Sequence, residues 1–128
     1  MTVAASPSAR DLVARVVAVI EATRVDLSLE DRAQEALADA LSRAFHPMPV
    51  EREVVLGPGE RIDIMVGPVG VEVKRNSAGR KATLRQLGRY AGHGRVEGLV
   101  LASNRAMRLV PEIDGKPLAF ASLGRAWL

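Results

Sequence analysis

Three charged side chains on two neighbouring predicted strands could act in one reaction. The strands cover Arg61–Val66 and Val71–Arg75 and are joined by a four-residue turn that contains two glycines. Because side chains alternate along a strand, Asp63, Glu72 and Lys74 fall on one face of this predicted hairpin. If the strands pair directly from the turn, Asp63 lies across from Lys74, and the three charges share one small area. The opposite face is apolar and contains Ile62, Ile64, Val66, Val71 and Val73.

This combination of charges is typical of metal-assisted phosphodiester hydrolysis. Two carboxylates held close together repel each other unless one takes up a proton or a cation lies between them. Mg²⁺ prefers carboxylate oxygens and usually retains several waters and a substrate phosphate. A neighbouring lysine can orient a metal-bound water and offset the charge that develops on the phosphate.

A purely structural interpretation is also open at this point. A glutamate and a lysine two residues apart often lie on a solvated strand face, where a cross-strand ion pair contributes only a few tenths of a kcal/mol. The presence of Asp63 on the same face weighs against this, because like charges on neighbouring strands are normally avoided.

Composition excludes several other classes of protein. The 128 residues fit one domain, and the absence of cysteine excludes a disulfide framework and a thiolate zinc site. The net charge of +3 permits a polyanionic partner, and the low aromatic content of 3% argues against a base-stacking platform. We find neither an apolar run long enough to cross a membrane nor a signal peptide, and we expect a cytoplasmic protein.

The remaining pattern predicts helices on both sides of the hairpin. A first helix is predicted from Ser8 to about Arg24, and Ser28 is a candidate N-cap for a second helix that extends to about Phe45. On that helix Glu30 lies two turns before Leu37 and shares its inward face. Its alternative role is a favourable charge at the helix N-terminus. Further elements are predicted at 50–56 (strand), 80–91 (helix), 98–103 (buried strand) and 118–123 (last strand).

The order of these elements and the spacing of Asp63, Glu72 and Lys74 together resemble the PD-(D/E)XK nuclease superfamily. The segment Gln86-Leu-Gly-Arg-Tyr90 is similar to the QxxxY motif of its RecB-like branch. The resemblance covers residues 28–103 and implies a restriction-endonuclease-like αβββαβ core. This fold is α/β, with a mixed central sheet of four to five strands flanked by helices. Residues 1–27 would add a helix, and 104–128 a C-terminal extension with a last strand. The proline of the motif is absent, since Ile62 precedes Asp63.

The resemblance also implies roles for individual residues. Asp63 and Glu72 would bind Mg²⁺ or Mn²⁺, with the backbone carbonyl of Val73 as a further ligand, and Lys74 would position the attacking water. Glu30 would be the additional carboxylate from the helix, with Glu35 as the reserve candidate. Residues implied to contact the substrate are Gln86, Tyr90, Arg75, Arg80, Lys81, Arg85 and Arg89.

Three functions therefore remain open from the sequence. The first is a metal-dependent deoxyribonuclease in repair or recombination, acting as a homodimer or beside a partner protein. The second is a nucleic-acid-binding or assembly subunit that has the same fold but does not cleave. The third is an interaction domain in which Asp63, Glu72 and Lys74 simply pair with one another.

Overall fold

The described part of the chain folds into an α/β structure with three helices and one six-stranded mixed sheet. The computed structural model describes residues 8–75 and 79–124, except for the side chain of Glu30. In chain order the elements are α1 (Ala9–Glu21), α2 (Glu30–Phe45), β1 (Val50–Gly57), β2 (Glu60–Val66), β3 (Val69–Lys74), α3 (Arg80–Ala91), β4 (Gly98–Ser103), β5 (Glu112–Ile113) and β6 (Lys116–Ser122). None of the helices in these ranges has the length and apolar content needed to cross a bilayer.

The sheet combines three antiparallel pairs, two at one side and one at the other, with a parallel centre. Its strand order is β1-β2-β3-β4-β6-β5. Strand β2 pairs antiparallel with both β1 and β3, whereas β4 runs parallel to β3 and β6. A parallel pair needs a crossover connection, and α3 provides it between β3 and β4. The same end of the sheet therefore contains the C-terminal ends of β3 and β4 and the start of α3.

Helices cover both faces of the sheet. On one face α1 and α2 pack against Ile64, Val66, Val71, Val73 and Val100. On the other face α3 packs through Leu87 and Tyr90 against a second apolar cluster from β2, β4 and β6. Strand β4 is buried along its whole length, as the unbroken apolar sequence predicts for a strand covered on both faces.

The predicted cap of α2 is wrong. The N-cap is Leu29, which has no side-chain hydrogen bond to the helix. Ser28 instead bonds to Asp26, since its backbone N–H and its hydroxyl both donate to Asp26 Oδ1, at 2.9 and 2.6 Å. An aspartate two residues earlier competes for the same hydroxyl and forms a local turn in place of a cap.

The sheet has six strands rather than four to five, because the segment before β6 contains a short strand. Asp114 and Gly115 have φ angles of 51° and 73°. Positive φ at both central residues is the geometry of a two-residue hairpin turn, for which Asp-Gly is a preferred sequence. This turn pairs Ile113 with Lys116 and creates β5.

Strand β1, at the other edge of the sheet, has a break in its regular geometry. Glu53 has φ of 50°, one of two positive values among the described non-glycine residues. Its neighbours still pair with β2, as Arg52 with Ile64 and Val54 with Ile62. This irregularity lies beside Asp63, the residue that the register sets opposite Glu53.

Candidate carboxylate site at the end of strands β2 and β3

The carboxylates come together where the backbone pairing between β2 and β3 stops. In the described chain this ladder ends at the pair Ile64–Val71. The same register, continued, sets Asp63 opposite Glu72. The predicted register, with Asp63 opposite Lys74, is therefore wrong by two residues. The turn comprises only two residues, so β3 already starts at Val69.

The side chains of β2 do not alternate regularly around Asp63. Ile64 and Val66 pack against α1 and α2, but Ile62 packs on the opposite face, against α3. The prediction that all three share one face is wrong, because the alternation of β2 is broken between Ile62 and Ile64, where the pairing with β3 ends. This change directs Asp63 toward β3, where it forms the contacts described next.

Two hydrogen bonds between side chain and backbone replace the missing pairs. The Val73 N–H donates to Asp63 Oδ2 at 2.8 Å, and the Asp63 N–H donates to Glu72 Oε1 at 3.3 Å. Each carboxylate is thus bound to the backbone of the opposite strand. Hydrogen bonds contribute about 0.5–1.5 kcal/mol each, and about 1.5–3 kcal/mol where the acceptor is ionised. The two acids are therefore held in place by the sheet itself.

Lys74 contacts Glu72 rather than Asp63. Its Nζ lies 3.3 Å from Glu72 Oε2, and its side chain is 25% exposed, compared with 5% for that of Glu72. The ammonium group therefore forms the solvent side of the cluster and the carboxylate of Glu72 forms its interior. A molecule that approaches from solvent can reach Lys74 without displacing the apolar core.

Burial raises the pKa of both acids, and repulsion from Asp63 adds to the shift of Glu72. Burial, followed by the charge of Asp63, raises the pKa of Glu72 to about 8, although Lys74 opposes the shift. Burial likewise raises the pKa of Asp63 above its ordinary value. At neutral pH the pair therefore retains a proton unless further positive charge is supplied. Strongly perturbed carboxyl groups of this kind are frequent at functional sites.

The donor atoms fit one hard cation that keeps most of its water. Asp63 and Glu72 provide carboxylate oxygens, and a divalent ion between them would relieve their repulsion. In the described parts of the chain, no group of three His, Cys, Asp or Glu side chains is arranged to hold a metal ion. The additional helix carboxylate is not found at Glu35, which is exposed on α2. The side chain of Glu30 lies outside the described residues.

Tyr90 and Gln86 form a polar connection from α3 to β2. The Tyr90 hydroxyl donates to the Arg61 carbonyl at 2.8 Å and accepts from Gln86 Nε2 at 2.9 Å. Tyr90 is only 2% exposed, so its hydroxyl faces the protein interior. Burial, together with the charges of Glu72 and Asp63, raises the pKa of this phenol. The contacts of Tyr90 assign it a role in holding the backbone that precedes Asp63.

Two of the arginines predicted to contact substrate are engaged within the protein. Arg75 donates to the carbonyls of Leu27 and Ser28 and thereby fixes the connection between α1 and α2. Arg89 forms an ion pair with Glu60, with Nε 3.2 Å from Oε1. These contacts connect α3 and β3 to neighbouring segments, which gives both arginines a structural role.

The other predicted basic residues lie on the surface of α3. Arg80, Lys81 and Arg85 are exposed. Arg80 Nε donates to the backbone carbonyl of Arg108 at 3.1 Å and connects α3 with the segment after β4. Arg105 and Arg108 in that segment are also exposed, and the sequence interpretation did not include them. A count of charges along the sequence would have found them.

Glu53 is a further acid that the sequence interpretation missed. Its negative charge contributes to the raised pKa of Asp63, although burial is the larger cause. Glu53 is exposed, as alternation along β1 predicts. Its unusual feature is the left-handed backbone conformation, which is uncommon for a residue other than glycine, asparagine or aspartate.

Comparison with known proteins finds no matching protein family, no similar curated protein and no similar solved structure. The function of this chain must therefore be argued from its own residues.

Proposed function

We propose that this chain is a metal-dependent nuclease that hydrolyses phosphodiester bonds of DNA. The observation that carries the proposal is the pair of half-buried Asp63 and buried Glu72 where β2 and β3 separate, with Lys74 on its solvent side. Two carboxylates that burial and repulsion drive toward protonation are an unfavourable arrangement for stability alone. A divalent cation makes the arrangement favourable.

The order of elements supports a restriction-endonuclease-like core. Helix α2, the meander β1–β2–β3, the crossover helix α3 and the parallel strand β4 follow one another as αβββαβ. The acids lie on β2 and β3, and Gln86 and Tyr90 lie on α3, as the sequence resemblance implies. Fold likeness alone does not establish an activity, so the proposal depends on the carboxylate site.

Each residue then has a defined task. Asp63 and Glu72 would hold Mg²⁺ or Mn²⁺, which when bound polarises the scissile phosphate and a water molecule. The Val73 carbonyl is a further candidate ligand. Lys74 would orient the attacking water and offset the charge that develops on the phosphate oxygens. Tyr90, through the Arg61 carbonyl, would keep the acids in register for these tasks.

Cleavage assays with a lysine variant test this proposal. Linear duplex, circular single-stranded and branched DNA would be incubated with Mg²⁺, with Mn²⁺ or with a chelator. We expect metal-dependent cutting that is lost in Lys74→Met, which keeps the length of the side chain without its charge. The matched control is Arg43→Met, an exposed cation on α2 across the sheet from α3. Equal cutting by both variants would refute the assignment of Lys74.

A non-cleaving nucleic-acid-binding or assembly subunit is the second candidate. It is favoured by the ion pair in the cluster, because Lys74 neutralises part of the charge on Glu72 without a metal ion. DNA binding that needs no divalent ion and leads to no hydrolysis, with the fold intact, would favour this function. In either case DNA is the proposed partner, bound by a homodimer or by the chain together with a second protein.

A further inference from the structure

Positive charge is concentrated in one part of the chain. Residues 74–110 contain nine of the eighteen lysines and arginines but only one of the fifteen acidic residues, Glu97. The rest of the protein is therefore net acidic. A separation of charge of this size indicates a surface for a polyanion.

Three of these nine cations are engaged by other parts of the protein. Arg75 bonds to carbonyls before α2, Arg89 pairs with Glu60, and Arg95 pairs with Glu51 on β1. Lys74 belongs to the carboxylate site. The remaining cations are all exposed, and we call them the basic surface: Arg80, Lys81, Arg85, Arg105 and Arg108.

The fold gathers the basic surface beside the carboxylate site. Strand β4 ends at Ser103, which is the register partner of Lys74. The Arg105 N–H donates to the Ser103 hydroxyl at 3.2 Å, so this arginine directly follows the strand end. Arg80 bonds to the Arg108 backbone and joins the start of α3 to the same segment. Arg80, Arg105 and Arg108 thus lie at the end of the sheet where the Lys74 side chain reaches solvent.

The charges on α3 are unfavourable for the helix itself. Its first turn reads Arg-Lys-Ala-Thr and follows Gly79, which has no side chain to cap the helix. Cations at a helix N-terminus oppose the helix dipole. Lys81 and Arg85 are four residues apart, which sets like charges side by side. A bound polyanion would remove both costs, and such local conflicts are expected at functional sites.

We infer that the basic surface binds the phosphate backbone of duplex DNA, an inference that rests on the proposed nuclease function. Single-strand binding usually needs exposed aromatic rings for stacking on bases. Among the described aromatic residues, Phe45 and Tyr90 are buried and Phe120 is half-buried. Contacts to phosphate alone position a duplex without reading its sequence. The surface therefore suits sequence-independent recognition of a duplex.

A salt titration in chelator measures this interaction apart from cleavage. Binding of a labelled duplex, and of one of its single strands, would be followed between 50 and 300 mM salt, concentrations chosen because phosphate contacts are lost across about this range. The test variant is the double substitution Arg105→Gln with Arg108→Gln. It keeps the Arg108 backbone carbonyl to which Arg80 donates. The control is Arg43→Gln on the opposite face.

Each lost phosphate contact lowers the slope of log K against log salt by about 0.9 for B-DNA, and by about 0.7 for single strands. The double variant should therefore lose about 1.8 in slope and bind the duplex about sixtyfold more weakly at 0.1 M salt, while the control matches wild type.

Equal binding by both variants overturns the inference, as does a preference for the single strand or for RNA of the same sequence. Duplex binding without cleavage in Mg²⁺ would support the basic surface and refute the nuclease function. Cleavage by a double variant whose salt slope equals that of wild type would support the nuclease function and refute the basic surface.

Discussion

The raised pKa of Glu72 predicts an unusual loss of stability as the pH rises. Below its ordinary pKa of 4.5 the carboxyl is protonated in both the folded and the unfolded chain. Between there and about pH 8 the unfolded chain ionises first, so the folded state loses stability until its own pKa is passed. At 1.36 kcal/mol per pKa unit, Glu72 lowers the free energy of unfolding by at most about 5 kcal/mol across this window.

Substitution Glu72→Gln should remove most of this dependence. Glutamine resembles the protonated acid, so the variant should match wild type near pH 5 and exceed it by a few kcal/mol at pH 8–9, by the same linkage relation. The assay is urea unfolding at intervals from pH 5 to 9, in chelator. The control is Glu97→Gln, which removes an exposed carboxylate. If wild-type stability is flat between pH 5 and 8, or declines equally in Glu72→Gln, the argument for a strained carboxylate pair is wrong.

Three further outcomes follow from the same contacts. Tyr90→Phe leaves the Arg61 carbonyl without its donor and should reduce the free energy of unfolding by about 1–3 kcal/mol, measured in urea. Gly70→Ala sets a methyl group 2.4 Å from Ile62 Cδ1, which is fully buried, and should cost about 1–3 kcal/mol in the same assay. Mg²⁺ at a hundred times its dissociation constant should stabilise wild type by about 2.7 kcal/mol in thermal unfolding. The same addition should have no effect on Asp63→Asn; equal stabilisation of the two would place the ion elsewhere.

Elements with strong local signals could be predicted from the sequence. The helix expected at 80–91 and the strand at 98–103 coincide with α3 and β4. A polar loop and a glycine bound the helix, and the strand is a continuous apolar run too short for a typical helix, so each pattern favours one structure. Strand β5 was missed although Asp114-Gly115 is a strong hairpin signal. Its strand is only two residues long, too short to show alternation.

The proximity of the three charged side chains could be predicted, but their pairing could not. Asp63, Glu72 and Lys74 lie together as expected, because neighbouring strands of a hairpin bring their side chains within reach. The length of the turn fixes the register, and a turn of two residues in place of four exchanges the partner of Asp63. The change of face at Ile62 occurs where the pairing of β2 with β3 ends, and no local pattern in β2 encodes it.

Basic residues near the site could not be assigned to substrate from the sequence. Arg75 and Arg89 lie in the same basic stretch of the sequence as Lys81 and Arg85, yet they bind groups distant in sequence. Such contacts depend on which segments the folded chain brings close to each arginine. Prediction from charge alone therefore identifies a basic region but not which of its cations are free to bind.

The left-handed backbone of Glu53 has a consequence for how copies of this protein can associate. Strand β1 lies at an edge of the sheet, where unpaired backbone groups can recruit a strand from another molecule. Three consecutive exposed charges, Glu51, Arg52 and Glu53, and the irregular backbone make β1 a poor template for such pairing. The opposite edge, β5, is only two residues long. Both margins of the sheet thus resist edge-to-edge aggregation, and a homodimer would have to form through helices or loops rather than by extending the sheet.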